Sequence, residues 1–258
     1  MNESASQEFY NLEDLNLNRD LVTGVLPSSW GNLGYWSDKQ TEGYAQAAKQ
    51  LAIELGEFAG LSSRDHIFDA GFGCGDQLQV WENDFQVSSI AGVNLSASQT
   101  QMALDKCQGL DGVPVKVRQG NACRKTAWQN IPENINKILA LDCLYHFAHK
   151  RDFFQFCSTQ LKSNHQKNAT ITVTDFILLR TSLPVFKKWF LQLICKLSHI
   201  PFENLTTLDD YQSQLEEVGL TLVRHQDISH SVMDGFSQWL PKFKREYEAA
   251  RKDCEALP

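Results

Sequence analysis

At 258 residues, with 42% hydrophobic content and six tryptophans, the chain has material for one large α/β core. A formal charge of −7 with scattered lysines and arginines excludes broad nucleic-acid binding, which needs a basic face. Seven scattered cysteines, odd in number and with no C-x-x-C, support neither a zinc ribbon nor a disulfide framework and read as reduced thiols of an intracellular protein. Met1 to Gln7 is polar and acidic and no apolar run nears the length of a membrane span, so the sequence predicts a cytoplasmic protein without a secretory leader.

In chain order, residues 1–61 read as a helical cap ahead of a nucleotide-binding unit over 62–258. Phe9, Leu12, Leu15 and Leu17 suggest a short helix, and Gly31-Asn32-Leu33-Gly34-Tyr35-Trp36 is a turn carrying two aromatics. Thr41 to Ala59 is a second helix, with Ala45, Ala48, Leu51, Ala52, Leu55 and Phe58 on one face. From about His66, the run Ile67-Phe68-Asp69-Ala70-Gly71-Phe72-Gly73-Cys74-Gly75-Asp76 reads as a buried parallel strand, a tight turn and a helix start. Such a crevice, at the carboxyl end of a strand, brings backbone close to a ligand beside a helix N-terminus. A dinucleotide turn would need a third glycine where Asp76 stands, and a P-loop would need Gly-Lys-Ser/Thr.

A second strand, Ser88 to Leu95, places Asn94 about twenty positions beyond the glycines, where a doubly wound site holds a ribose. An amide can bond a diol, though more weakly than a carboxylate does. Ser96 opens a helix to about Gln108; Ser96 and Gln99 form an S-x-x-Q capping box, so Gln99 serves either as cap or as ligand contact. A third strand, Pro114 to Gln119, ends in Gly120-Asn121-Ala122. A fourth, Lys137 to Asp142, runs into Cys143-Leu144-Tyr145-His146-Phe147, and a fifth, Ala169 to Phe176, closes on Asp175. An insertion from Leu178 to Leu205 carries the stripe Val185, Phe186, Trp189, Phe190, Leu193, Ile194 and Leu197. Thr206 or Thr207 caps the next helix, through Val218-Gly219; a sixth strand, Leu220 to Gln226, and a helical tail, Met233 to Pro258, complete the pattern. Strand and helix alternating from Ile67 predict a parallel sheet covered on both faces. No histidine spacing suits a metal site.

Taken together, the acid followed by G-x-G-x-G (Asp69 to Gly75), the Gly92 to Gln99 run and Gly120-Asn121-Ala122 resemble the class I S-adenosylmethionine-dependent methyltransferases. Gly92 to Gln99 is similar to the small-molecule and lipid enzymes of the sterol, tocopherol and cyclopropane-synthase kind. The resemblance covers roughly Leu33 to Asp227. It implies an α/β fold with a doubly wound, mostly parallel Rossmann-like sheet, helices on both faces, an N-terminal helical cap and a helical lid at about 178–205.

It also implies S-adenosylmethionine as cofactor, at Asp69, Gly71, Gly73, Gly75, Asn94, Leu95, Gln99, Asn121, Ala122 and Asp142. Asn121 would accept from the adenine amino group or simply occupy a turn. Tyr35 and Trp36 would line the methyl-donor pocket or pack a helix entry. Tyr145 and His146 would face the acceptor, with Asp175 across from His146 to fix the tautomer of a general base. The alternative is a packed loop histidine and an Asp175 that caps the next helix.

The implied reaction is methyl transfer to oxygen or nitrogen of a small, partly apolar acceptor, aided more by alignment than by covalent catalysis. The insertion keeps open a lipid-modifying enzyme that forms C-methyl or cyclopropane groups. Asn94, Asn121 and the lack of a seventh, antiparallel strand keep open a catalytically silent cofactor-binding partner subunit. The missing strand leaves an open sheet edge and with it a homodimer. The aromatic stripe suits a lid, a helix covering its own core or, as a lesser share, contact with a membrane surface.

Overall fold

The computed structural model describes residues 17–19, 26–36, 43–110, 112–163, 169–179 and 183–255. The short helix expected around Phe9 to Leu15 and the helix start at Thr41 lie outside them.

Helix α1, Tyr44–Ala59, ends at Gly60, whose φ of 63° continues the chain in the left-handed region. Its buried face is Tyr44, Ala47, Ala48, Leu51, Ala52, Leu55 and Ala59, so Ala45 and Phe58 stand one step off the stripe predicted for them. There follow β1 (His66–Ala70), α2 (Asp76–Asn83), β2 (Ser89–Asn94), α3 (Ala97–Cys107), β3 (Val115–Gln119) and β4 (Lys137–Ala140). A 3-10 turn, Leu144–His146, leads into α4 (Lys150–Ser163) and β5 (Thr170–Val173). The five strands form one sheet in the order β3-β2-β1-β4-β5, every pair parallel, with Phe68 opposite Ala91 on one side and Ile138 on the other.

Alternation along each strand feeds two cores. Ile67, Ile90, Leu139 and Leu141 pack with Leu51, Leu55, Leu78 and Trp81 of α1 and α2. Phe68, Val93, Ile138 and Ala140 pack on the opposite face with Phe153, Phe154, Cys157 and Leu215. The reversal of strand order at β1 and β4 opens a crevice at their carboxyl ends, where an α/β sheet binds its ligand.

The remaining elements are β6 (Ile177–Leu178), α5 (Val185–Leu197), β7 (Thr206–Thr207), α6 (Leu208–Glu217) and α7 (Gly235–Glu255). β6 and β7 pair with each other alone among the described residues. Thr207 Oγ accepts from the Asp210 amide and caps α6 as predicted, at 3.3 Å. The sixth strand is not formed: 220–228 carries no ladder, Val223 is exposed, and only Leu222 and Ile228 are partly buried along with Leu220. A strand in a sheet covered on both faces needs an apolar run, and Thr221-Leu222-Val223-Arg224-His225-Gln226 supplies only a broken one. Helix α7 instead folds back on the N-terminal segment, with the Trp239 ring 5.0 Å from Trp36 and 5.6 Å from Tyr44.

Candidate active site

The floor of the crevice is the turn after β1. Gly71 has φ 90° and comes so close to Cys143 that a Cβ would lie 2.7 Å from the sulfur. Gly75 has φ 90° and presses on α3, where a Cβ would lie 2.8 Å from Ala103 Cα. So Gly71 and Gly73 line the pocket, whereas Gly75, expected there as well, locks α2 against α3.

Asp69 is not a pocket residue. Alternation along β1 turns its side chain toward α2, where the carboxylate accepts two bonds from Gln77 Nε2, at 2.9 and 2.8 Å, and one from Trp81 Nε1 at 2.6 Å. Burial pushes its pKa up to about 6, while those donors pull the other way. It braces the glycine turn from beneath.

At the end of β2, Asn94 lines the pocket, with Leu95 and Gln99 beside it. Asn94 Nδ2 donates to Gln99 Oε1 at 3.0 Å, which leaves the Asn94 carbonyl oxygen for a ligand hydroxyl. Ser96 Oγ accepts from the Gln99 amide at 3.3 Å, so Ser96 caps the helix as expected, while the Gln99 side chain is held by Asn94. Asn121 and Ala122 close this side. The Asn121 amide oxygen accepts from the Cys123 amide at 2.9 Å, which closes a local turn.

Opposite, Asp142 sits at the end of β4 with φ 50°. Its carboxylate accepts from the Leu33 amide at 2.6 Å and the Tyr145 hydroxyl at 3.0 Å, and burial lifts its pKa to about 6. The Asp142 amide donates to Thr174 Oγ at 2.6 Å, which ties β4 to β5.

The roof is a strap that sequence reasoning missed. Ser29, Trp30, Gly31 and Asn32 line the pocket. The Ser29 amide donates to Asp76 at 3.1 Å, Tyr44 holds the Asn32 carbonyl at 2.7 Å, and Lys106 pairs with Asp76. Tyr35 and Trp36, expected to line the pocket, lie just beyond it: the Tyr35 amide bonds the Ala47 carbonyl at 2.8 Å, and Trp36 turns to Trp239 and Phe236. Small and polar residues flanking Trp30, from Ser28 to Asn32, were the sequence's sign of the strap.

Tyr145 and His146 come together at the pocket wall, ring centroids 4.4 Å apart, and Tyr145 stacks on Phe176 at 4.1 Å. His146 Nδ1 lies 3.4 Å from the His199 carbonyl oxygen, which can only accept, so the contact is a hydrogen bond when Nδ1 carries the proton. Burial lowers its pKa, which favours the neutral ring.

The expected pairing of His146 with Asp175 is replaced by another. Asp175 accepts from Lys150 Nζ at 2.6 Å and from the Phe176 amide at 2.9 Å, away from the pocket wall. Lys150 also donates to the Asn204 carbonyl at 3.1 Å, and Asn204 Nδ2 holds the Tyr145 and Phe147 carbonyls at 2.9 and 2.8 Å. Buried Lys150 thus ties Asp175 to the turn that carries His146. Among the described residues no cluster of His, Cys, Asp or Glu could hold a metal ion. Cys143 donates to the Ala70 carbonyl at 3.1 Å and burial raises its pKa far above the usual thiol value, which leaves it inert.

The pocket suits a nucleoside ligand: a glycine-lined turn at a helix start, an amide side chain at the end of β2 and two carboxylates near the strap. A family model described as mycolic acid cyclopropane synthetase matches residues 33–256. Erythromycin 3''-O-methyltransferase of Saccharopolyspora erythraea is 28% identical over 224 residues, covering 83% of this chain and 70% of the relative. A cyclopropane-fatty-acyl-phospholipid synthase of Escherichia coli is 33% identical over 100 residues, 38% of this chain and 25% of that one. Among solved structures, the cyclopropane synthase MmaA2 of Mycobacterium tuberculosis superposes with a TM-score of 0.71 at 20% identity, covering 96% of this chain and 86% of that one.

Proposed function

The chain belongs to the mycolic acid cyclopropane synthetase family of class I S-adenosylmethionine-dependent methyltransferases, and we propose that it methylates an oxygen or nitrogen of a small, partly apolar acceptor with His146 as general base. The observation that carries this reading is a histidine on the pocket wall whose Nδ1 faces the His199 carbonyl and whose pKa burial lowers. S-adenosylmethionine, when bound, supplies a methyl group on a sulfonium that leaves as a neutral thioether. What the protein adds is position and a proton acceptor.

In this reading the Gly71 to Gly73 backbone and the Asn94 amide oxygen hold the cofactor, with Asn121 near the base and the strap closing over it. His146 takes the proton of an acceptor hydroxyl as the new bond forms, or removes the proton of an acceptor ammonium beforehand to free the nitrogen lone pair for attack. Tyr145, fixed by Asp142 and Phe176, shapes the acceptor side. The Saccharopolyspora relative, an O-methyltransferase by name, supports oxygen as the acceptor atom. The Escherichia coli relative supports a second reading, methylene transfer to an unsaturated acyl chain.

The test is turnover of purified protein with labelled S-adenosylmethionine over panels of hydroxyl, amine and unsaturated lipid acceptors. His146→Ala should lower turnover by about two to four decades, with S-adenosylhomocysteine affinity unchanged. Label found as a methoxy or N-methyl group supports the first reading and label in a ring methylene the second. Unaltered turnover in the variant would sink the role of His146.

A further inference from the structure

Helix α5 shows the rest of the protein only a narrow edge. Cys195 is its one buried residue, while Phe186, Trp189 and Phe190 are 68%, 65% and 58% exposed and Val185, Leu193, Ile194 and Leu197 are exposed as well. At about 100° per residue these seven occupy roughly half of the helix circumference, turned away from Cys195. Exposed Lys196 and Lys187 stand at the two margins of that half, and Lys188 lies behind. The helix contains no acidic residue, although the chain carries a net charge of −7.

We infer that α5 docks on the surface of a lipid bilayer containing anionic headgroups, lying in the interface with its aromatic half among the acyl chains. Charge selects this occupant. A second copy of the same face would set lysine against lysine, whereas phosphate headgroups complement both margins while the lysine stems reach up along the apolar half. Among the described residues no helix is long and apolar enough to cross a membrane, so the contact is superficial. Two residues beyond the helix end, His199 lines the pocket, so docking sets the His146 wall beside the bilayer. An acceptor dissolved in the bilayer would enter past His199, a step that rests on the methyl-transfer reading; the docking itself does not.

The experiment is co-sedimentation of the full chain with phosphatidylcholine vesicles, with and without phosphatidylglycerol. Binding should require phosphatidylglycerol and weaken with salt. Replacing the three lysines together (K187Q, K188Q, K196Q) should lower it by about a hundredfold, at about fivefold per lysine. Phe186→Ser with Trp189→Ser should abolish it, while S-adenosylhomocysteine binding by calorimetry persists and shows an intact fold. Brominated acyl chains provide a measurement without a risk to folding: they should quench tryptophan fluorescence of the parent and much less that of Trp189→Phe. Absence of binding to anionic vesicles, undiminished binding by the serine variant, or a parent dimer that this variant turns into a monomer would overturn the proposal. Loss of S-adenosylhomocysteine binding by the parent with vesicle binding retained would count against the methyltransferase site alone.

Discussion

Replacing Lys150 with Met should unsettle the fold far more than replacing both partners of its ion pair. Lys150 and Asp175 are each 5% exposed, so solvent screening scarcely discounts the interaction. Met fills the volume but leaves a buried carboxylate without its cation, the Phe176 amide still donating, and the Asn204 carbonyl without its Lys150 donor. An orphaned buried charge of this kind costs about 3–5 kcal/mol. With a urea dependence near 3 kcal/mol per molar, the unfolding midpoint should fall by roughly 1 to 1.7 M. Burial raises the Asp175 pKa while Lys150 pulls it down, so removing Lys150 raises it further. A raised carboxyl stabilises below its unfolded pKa and loses that contribution as pH rises through the folded one; the deficit of Lys150→Met should therefore shrink in acid. Lys150→Met combined with Asp175→Leu should regain most of the loss, because neither charge then has to be desolvated. Urea titration of the four proteins of this cycle decides it. A single-variant cost below about 1 kcal/mol, or a double variant as unstable as the sum of the singles, refutes the reasoning.

Gly75→Ala should lose about 2–4 kcal/mol, because its φ of 90° disfavours a side chain and the new methyl strikes Ala103, whereas Gly73→Ala, with open space at that point, should lose about 1–2; thermal unfolding ranks the two. Asn94→Ala should weaken S-adenosylhomocysteine about tenfold, the worth of one hydrogen bond, and calorimetry showing no change would remove Asn94 from the site. Asp142, lifted from 3.8 to about 6, contributes stability below pH 3.8 that is lost as pH rises through about 6. Against Asp142→Asn, the parent should therefore lose about 3 kcal/mol of relative stability across that window, at 1.36 kcal/mol per unit.

Features that the backbone itself demands were legible. The glycine turn, the Ser96 cap and the apolar strands announce themselves because steric and hydrogen-bonding needs are met within a few residues. Direction was harder to read. Asp69 ends a strand in the expected place, yet alternation turns it to α2, and only the positions of Gln77 and Trp81 reveal its task. Asp175 follows β5 near the site, but its partner is decided by Lys150 on α4 and by Asn204, which come from 25 residues before it and 29 after. The strap offered no periodicity, and the carboxylates that hold it lie 47 and 109 residues away. The sixth strand failed for the opposite reason: its alternation fits a surface strand, and the sheet has no surface face to give it.

The strap makes two backbone amides into gauges of the pocket. The Ser29 and Leu33 N–H groups each point at a carboxylate of the pocket wall, Asp76 and Asp142, and neither belongs to a helix or a sheet. Their exchange with solvent deuterium therefore counts openings of the roof and little else. A ligand beneath the strap would slow both together, while protonation of Asp142 near pH 6 would loosen Leu33 alone. Two amide signals thus separate the breathing of the lid from the titration of the wall that holds it.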